Sequence, residues 1–140
     1  LLQAWPGLWR RISTRPEADR RRLQTVLGHI FDGQIFDLER FVEGAPPLRP
    51  EELDRYIYLV AGSVGEFWTD LGYARMRRFA RENPERMREL GRNYGKGLQL
   101  VNVLRDRRMD AAMGRTYMAP EDVEQRTGEA RLLLADGAAY

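Results

Sequence analysis

The stretch from Gly95 to Asp110 has the pattern of a helix with one narrow polar side. At about 100° per residue, five of its residues fall within roughly ±40° of one another. These residues form a polar row along the helix: Gly95, Gln99, Asn102, Asp106 and Asp110. An ordinary surface helix has one apolar stripe and a broad polar face, whereas here leucines and valines occupy both flanks and most of the back. The pattern predicts a helix that is packed on most sides, with its polar row facing an enclosed cavity.

Asp106 and Asp110 lie one turn apart at one end of the polar row. Two carboxylates are costly to place in an enclosed cavity unless a cation compensates their charge. Magnesium suits this role, because it takes one or two carboxylates and completes its octahedron with water and phosphate oxygens. The simpler alternative is a solvated pair of aspartates on a plain helical bundle, and the spacing alone leaves both interpretations open.

A second helix is indicated by the apolar period that runs from Leu53 to Leu71. Its centre combines aromatic and β-branched side chains with the small residues Ala61, Gly62 and Gly65. Small residues let another helix, or an extended apolar ligand, come close to the backbone. Helix packing is the commoner use of such a stretch, and the sequence leaves both uses open.

The remaining segments also have helical patterns, and no strand alternation, repeat or low-complexity tract occurs in the 140 residues. The chain is therefore predicted to be a single all-α domain of about four to six helices. A short helix is predicted up to Ile12, followed by a long helix from a cap at Thr14 or Arg15 to Gly44. The next helix begins at Glu51 and Glu52, and the polar-row helix runs from about Glu85 to Ala112. A last helix starts within residues 128–134, and residues 137–140 are predicted to be a frayed end.

The amino-acid composition limits what the protein is expected to bind and where it is expected to reside. The chain has 23 basic and 21 acidic residues, and its arginine clusters alternate with acids, so they are predicted to be solvated faces and not a nucleic-acid surface. Disulfides are excluded because there is no cysteine. No apolar run approaches the ~20 residues that cross a bilayer, and no signal peptide is visible. A cytoplasmic protein is therefore expected.

Four segments resemble motifs of the squalene/phytoene synthase family, whose members join two prenyl diphosphates head to head. From Gly97 onward, Gly-Leu-Gln-Leu-Val-Asn-Val-Leu-Arg-Asp-x-x-x-Asp is similar to the second aspartate-rich motif of that family. From Tyr56 onward, Tyr-x-x-x-Val-Ala-Gly-x-Val-Gly is similar to another characteristic motif, at the expected distance before the aspartates. From Gly33, Gly-x-x-x-Asp-Leu matches a further pattern, and the segment that begins at Gly114 resembles Gly-Arg-x-Tyr-Leu-Pro with one extra residue before the proline.

The resemblance implies an isoprenoid-synthase-type helical bundle that condenses two farnesyl diphosphates to presqualene diphosphate and squalene, with Mg²⁺ assisting the loss of diphosphate. Asp106 and Asp110 would be catalytic and bind the metal, and Tyr56 would be the catalytic tyrosine. The resemblance also allows NADPH as a cofactor of squalene formation and a peripheral position at the inner face of the membrane. The implied substrate-binding residues, which would line the prenyl channel or contact the diphosphate, are Val60, Val64, Gly65, Gln99, Asn102, Arg105, Arg115 and Tyr117.

Departures from the family pattern keep other functions open. The first aspartate-rich motif does not occur in residues 1–140 and is expected before Leu1, so the chain is predicted to be the central and C-terminal part of one synthase domain, inactive by itself. Met109 replaces the usual acid, and Arg107 and Arg108 lie between the two aspartates. The alternatives are a phytoene synthase that uses geranylgeranyl diphosphate and a non-catalytic family member that serves as an assembly or interaction factor. The arginine-rich composition without cysteine is compatible with a bacterial hopanoid-pathway enzyme.

Overall fold

The computed structural model describes residues 5–42 and 44–140, and these residues form helices and connecting loops without a strand. The all-α prediction is confirmed. The predicted boundary residues before Trp5 lie outside the described residues. The helices are α1 (Trp5–Ser13), α2 (Glu17–Arg40), α3 (Pro50–Ile57), α4 (Ser63–Arg75), α5 (Pro84–Ala112) and α6 (Val123–Ala139), with a π-helical turn at Tyr58–Gly62 that joins α3 to α4 and a 3₁₀ turn at Pro120–Asp122 before α6.

The sequence marks the start of the longest helix, α5, clearly. The side chain of Asn83 accepts a hydrogen bond from the backbone N–H of Arg86 at 2.9 Å, and Pro84 occupies the first helical position. An asparagine cap satisfies one of the free N–H groups of the first turn, and proline there loses no helical hydrogen bond. The observed start therefore lies within one residue of the predicted one.

Two predicted helix ends are wrong. Helix α2 ends at Arg40 and not at Gly44, because the chain turns there to bury Leu48, whose N–H donates to the carbonyl of Thr116 at 3.2 Å. Helix α6 continues to Ala139 in place of the predicted frayed end. Packing against the rest of the protein explains this extension, since the Tyr140 hydroxyl lies 2.9 Å from Oγ1 of the buried Thr69.

Helix α5 is the centre of the bundle and packs against α6 on one side and against α4 and the π-helical turn on another. Helix α2 packs against the π-helical turn and α4. The main core forms where α3, α5 and α6 meet the loop before α3 and the loop after α5. Its buried members are Leu48, Leu53, Tyr56, Ile57, Leu100, Val103, Met118 and Ala130.

The small residues predicted to permit close approach lie where the π-helical turn and the start of α4 cross α5. A Cβ atom added to Gly65 would lie 1.9 Å from the carbonyl oxygen of Gly91, and one added to Gly95 would lie 2.3 Å from that of Ala61. Both distances are far below van der Waals contact, so the two backbones touch directly. The helix-packing use of this stretch is therefore confirmed.

Helix α2 is apolar on two opposite faces. Gly33 faces the bundle, where an added Cβ would lie 2.6 Å from a methyl carbon of Val60. The other face carries a row of apolar side chains that are exposed in the described structure, Leu27, Phe31, Ile35 and Leu38, and the exposed Val42 follows just after the helix. Among the described helices, none has the length and apolar character needed to cross a bilayer.

Candidate functional site

The polar row of α5 opens into a pocket of about 280 Å³, called the polar pocket below. Its walls come from α3, from α5 and from the loop that follows α5. Apart from Val103, every residue that lines it was predicted as a site residue. The lining residues are Tyr56, Gln99, Asn102, Val103, Arg105, Asp106, Asp110 and Tyr117.

A second depression of about 400 Å³, called the apolar groove below, runs between α4 and α5. Gln99 and Asn102 line both the polar pocket and the apolar groove, so the two are neighbours. The lining residues of the groove are Val60, Ala61, Val64, Gly65, Trp68, Gly91, Tyr94, Gly95, Leu98, Gln99, Asn102 and Tyr140. Val60, Val64 and Gly65 were predicted there, whereas the three aromatic residues were not. Trp68 follows Val64 by one turn of α4 and could have been found by periodicity, whereas Tyr94 and Tyr140 come from other parts of the chain.

The π-helical turn follows Tyr56 along the chain and contributes Val60 and Ala61 to the apolar groove. Tyr56, just before it, lines the polar pocket, whereas Val64 and Gly65, just after it, line the apolar groove. A π-helical turn inserts an extra residue into a helix and is frequently found at functional sites. The sequence motif that begins at Tyr56 is therefore divided between a polar and an apolar environment.

The prediction of an enclosed cavity around α5 is wrong for the described residues. Leu98 and Val101, on the flanks of the polar row, are 45% and 38% exposed. The polar pocket and the apolar groove are both open to solvent. The polar row thus faces an open cleft.

The two aspartates of the polar pocket differ in their electrostatics. Both oxygens of Asp106 accept hydrogen bonds from Arg105, from Nε at 2.7 Å and from Nη2 at 2.6 Å, and these bonds lower the pKa of Asp106. Asp110 is half-buried, and its pKa is raised, first by burial and then by the charge of Asp106. Asp110 is therefore the carboxylate that gains most from a nearby cation.

These donors fit magnesium only as part of its coordination shell. The described part of the chain contains no cluster of three or more acidic, histidine or cysteine side chains that could hold a metal ion. Mg²⁺ is, however, commonly held by one or two carboxylates, with water and substrate phosphates completing the octahedron. Asp106 and Asp110 meet that requirement, provided that Arg105 releases Asp106.

Tyr56 and Tyr117 form a stacked pair on the wall of the polar pocket, with ring centroids 5.1 Å apart and an interplanar angle of 28°. Burial is the main cause that raises the pKa of each phenol. The pKa of Tyr117 is raised further by the hydrogen bond that its hydroxyl donates to Asp37. Both phenols are therefore protonated at neutral pH, and the Tyr117 hydroxyl donates its hydrogen bond to Asp37.

Arg115 is the one predicted site residue that lines neither the polar pocket nor the apolar groove. Its Nε lies 3.3 Å from Oδ2 of Asp37, and its backbone N–H donates to the carbonyl of Asp110 at 2.8 Å. Asp37 itself was not predicted as a site residue. The signal was present in the sequence, since Asp37 is the acid of the Gly-x-x-x-Asp-Leu pattern that begins at Gly33.

The fold and the cleft define a class of protein. An all-α bundle that places a carboxylate pair beside an apolar groove suits a cation that bridges to the anionic head of an apolar chain. The family model described as squalene/phytoene synthase matches residues 10–139, and the chain belongs to that family. Its members are prenyltransferase-type enzymes that bind prenyl diphosphates and in general depend on magnesium. Comparison with curated proteins and comparison with solved structures give no match.

Proposed function

We propose that the protein binds a prenyl diphosphate with its diphosphate in the polar pocket and its chain in the apolar groove, and that it acts in the head-to-head condensation of two farnesyl diphosphates. The observation that supports this proposal is the adjacency of the two regions through Gln99 and Asn102. An amphiphilic substrate needs both environments within one molecular length. A solvated aspartate pair on a plain bundle would need no apolar groove beside it.

In this proposal Asp106 and Asp110 are the residues that would hold magnesium. The ion, when bound, neutralises the charge of the departing diphosphate. The guanidinium of Arg105 would leave the carboxylate of Asp106 and bind a phosphate oxygen, because its planar geometry matches phosphate as well as carboxylate. Once covered by the rest of the proposed synthase domain, the apolar groove would keep water from the allylic carbocation, and the ring of Tyr56 would stabilise positive charge from the polar pocket.

The chain length of the substrate is proposed to depend on Trp68. Trp68 lies about 18 Å along the helix from Tyr56, at 1.5 Å per residue, and its side chain lines the apolar groove. An indole there obstructs the tail of a longer chain. We expect Trp68→Ala to shift the preference from farnesyl towards geranylgeranyl diphosphate, which is the substrate of the phytoene synthase alternative, in competition assays with both substrates.

Two further parts of the proposal concern the protein as a whole. Residues 1–140 contain one aspartate-rich motif, and we propose that they work within a single synthase domain together with a carboxylate cluster that they do not contain. The cytoplasm is the proposed compartment, with access to the inner face of the membrane. The family match does not support NADPH, and no role for it is proposed.

The experiment is calorimetric titration of a farnesyl diphosphate thio-analogue into the full-length protein, with and without magnesium. The test variant is Asp106→Asn/Asp110→Asn, and the matched control is Asp32→Asn, an exposed aspartate on α2. We expect magnesium-dependent binding by the wild type and the control, and none by the double variant. Binding with the same affinity in the absence of magnesium, or by the double variant, would contradict the proposed site.

A non-catalytic assembly or interaction factor is the second candidate function. Both carboxylate oxygens of Asp106 already accept hydrogen bonds from Arg105, which disfavours metal binding. The outer face of α2 exposes a row of apolar side chains that includes Phe31 and Leu38 and that another protein could contact. Absence of analogue binding by the well-folded wild type would favour this candidate over the synthase.

A further inference from the structure

Asp37 lies buried at the junction of α2 with the loop that follows α5, and only 9% of its surface is exposed. One carboxylate oxygen accepts the hydrogen bond from the Tyr117 hydroxyl, and the other lies 3.3 Å from Nε of Arg115. Both partners belong to the loop after α5, and Tyr117 is 80 residues away in sequence. A single buried carboxylate therefore holds this loop against α2.

The contacts of Asp37 extend to the wall of the polar pocket. Tyr117 stacks on Tyr56, and Phe41 packs edge-on against Tyr117 with ring centroids 4.8 Å apart. Tyr56 is only 7% exposed, so its ring has few positions other than the one that Tyr117 permits. The direction of the Tyr56 hydroxyl thus depends on Tyr117, and the direction of Tyr117 depends on Asp37.

The second partner of Asp37 reaches the carboxylate pair. The backbone N–H of Arg115 donates to the carbonyl of Asp110, the last residue of the polar row, at 2.8 Å. The ion pair between Arg115 and Asp37 therefore anchors the loop close to Asp110. Buried hydrogen-bonded charges of this kind have few alternative partners and rigidify the elements that they join.

We propose that Asp37 is a positioning residue of the polar pocket: it fixes Tyr117 and Arg115, and through them the orientation of Tyr56 and the loop beside Asp110. Its importance for turnover rests on the proposed function, whereas its control over Tyr56 does not. The competing view is that Asp37 only stabilises the fold. The two views differ in what happens to Tyr56 in a variant that remains folded.

The direct experiment replaces Tyr56 with 3-fluorotyrosine and records its ¹⁹F resonance in the full chain without ligand. Asp37→Asn removes the charge but keeps an acceptor for Tyr117, and Tyr117→Phe removes the hydroxyl but keeps the ring stack and the pair with Arg115. Asp32→Asn is the matched control, because it makes the same chemical change at an exposed position of α2. The double variant Asp37→Asn/Tyr117→Phe completes a double-mutant cycle.

We expect the resonance to move in Asp37→Asn and in Tyr117→Phe, to move no further in the double variant, and to stay in place in the control. An unchanged resonance in both single variants would overturn the proposal, as would independent, additive changes. Tyr117→Phe preserves the buried ion pair, so it decides the question if Asp37→Asn fails to fold.

Turnover and binding separate this inference from the proposed function. In the full-length synthase, binding of magnesium pyrophosphate should change little in Asp37→Asn, whereas kcat should fall about 10- to 100-fold, the size of effect that a misplacement of about 1 Å can cause. Normal kcat in a variant whose resonance has moved would refute the role in turnover. A wild type that binds no prenyl diphosphate would refute the proposed function, while the resonance would still decide whether Asp37 positions Tyr56.

Discussion

Gly65→Ala tests whether α4 and α5 need direct backbone contact at their crossing. The added Cβ would lie 1.9 Å from the carbonyl oxygen of Gly91 and 2.4 Å from its carbonyl carbon. Relief to an ordinary contact of 3.4 Å requires the helices to move apart by about 1.5 Å. No side-chain rotation can remove the clash, because both contacting atoms belong to the backbone of α5.

The expected cost follows from two opposing effects. Overpacking typically lowers the free energy of unfolding by about 1–3 kcal/mol. The upper end of this range applies here, because a clash between backbone atoms cannot be relieved by rotating a side chain. Replacing glycine with alanine in a helix interior stabilises the helix by about 1 kcal/mol. The net loss in free energy of unfolding for Gly65→Ala is therefore about 2 kcal/mol, or roughly 5–10 °C in Tm for a chain of this length.

Urea denaturation followed by circular dichroism at 222 nm measures this change, and Gly28→Ala is the matched control. Gly28 lies inside α2, and an added Cβ there would meet nothing within 4 Å. Gly28→Ala should therefore stabilise the protein by up to about 1 kcal/mol, through helix propensity and a less flexible unfolded chain. If Gly65→Ala were as stable as Gly28→Ala, the close crossing of α4 with α5 would be refuted.

Three further predictions concern the helix cap, the core and the dependence on pH. Asn83→Ala should cost about 1 kcal/mol in urea denaturation, because it removes the side-chain cap of α5. Leu100→Ala should cost about 2–5 kcal/mol, because Leu100 is fully buried, whereas the same change at Leu132, which is 74% exposed, should cost little. The backbone N–H of Arg49 is the main cause that lowers the pKa of Glu52 from 4.5 to about 2. Glu52→Gln should therefore be less stable than the wild type at neutral pH, and the difference should disappear as the pH falls from 4.5 to about 2, because a lowered pKa stabilises the fold only where the carboxylate is ionised. Equal loss of stability at Leu100 and Leu132, or a pH-independent effect of Glu52→Gln, would contradict these assignments.

Helical periodicity determined much of the site before any tertiary structure was considered. The 3.6-residue period places Gln99, Asn102, Asp106 and Asp110 on one side of α5, and the structure brings them to one cleft as expected. The small residues around Gly65 likewise predicted a close approach. Such features depend on the geometry of a single helix, which local sequence specifies.

The tertiary structure decided whatever depends on residues that are distant in sequence. It placed Arg115 against Asp37 and outside both the polar pocket and the apolar groove, and it added Tyr140 to the groove. It also left the polar row facing an open cleft, where the one-helix pattern predicted an enclosed cavity. The physical reason is that a helical pattern specifies which residues share a face, whereas the neighbours of that face are selected by how loops and whole helices pack.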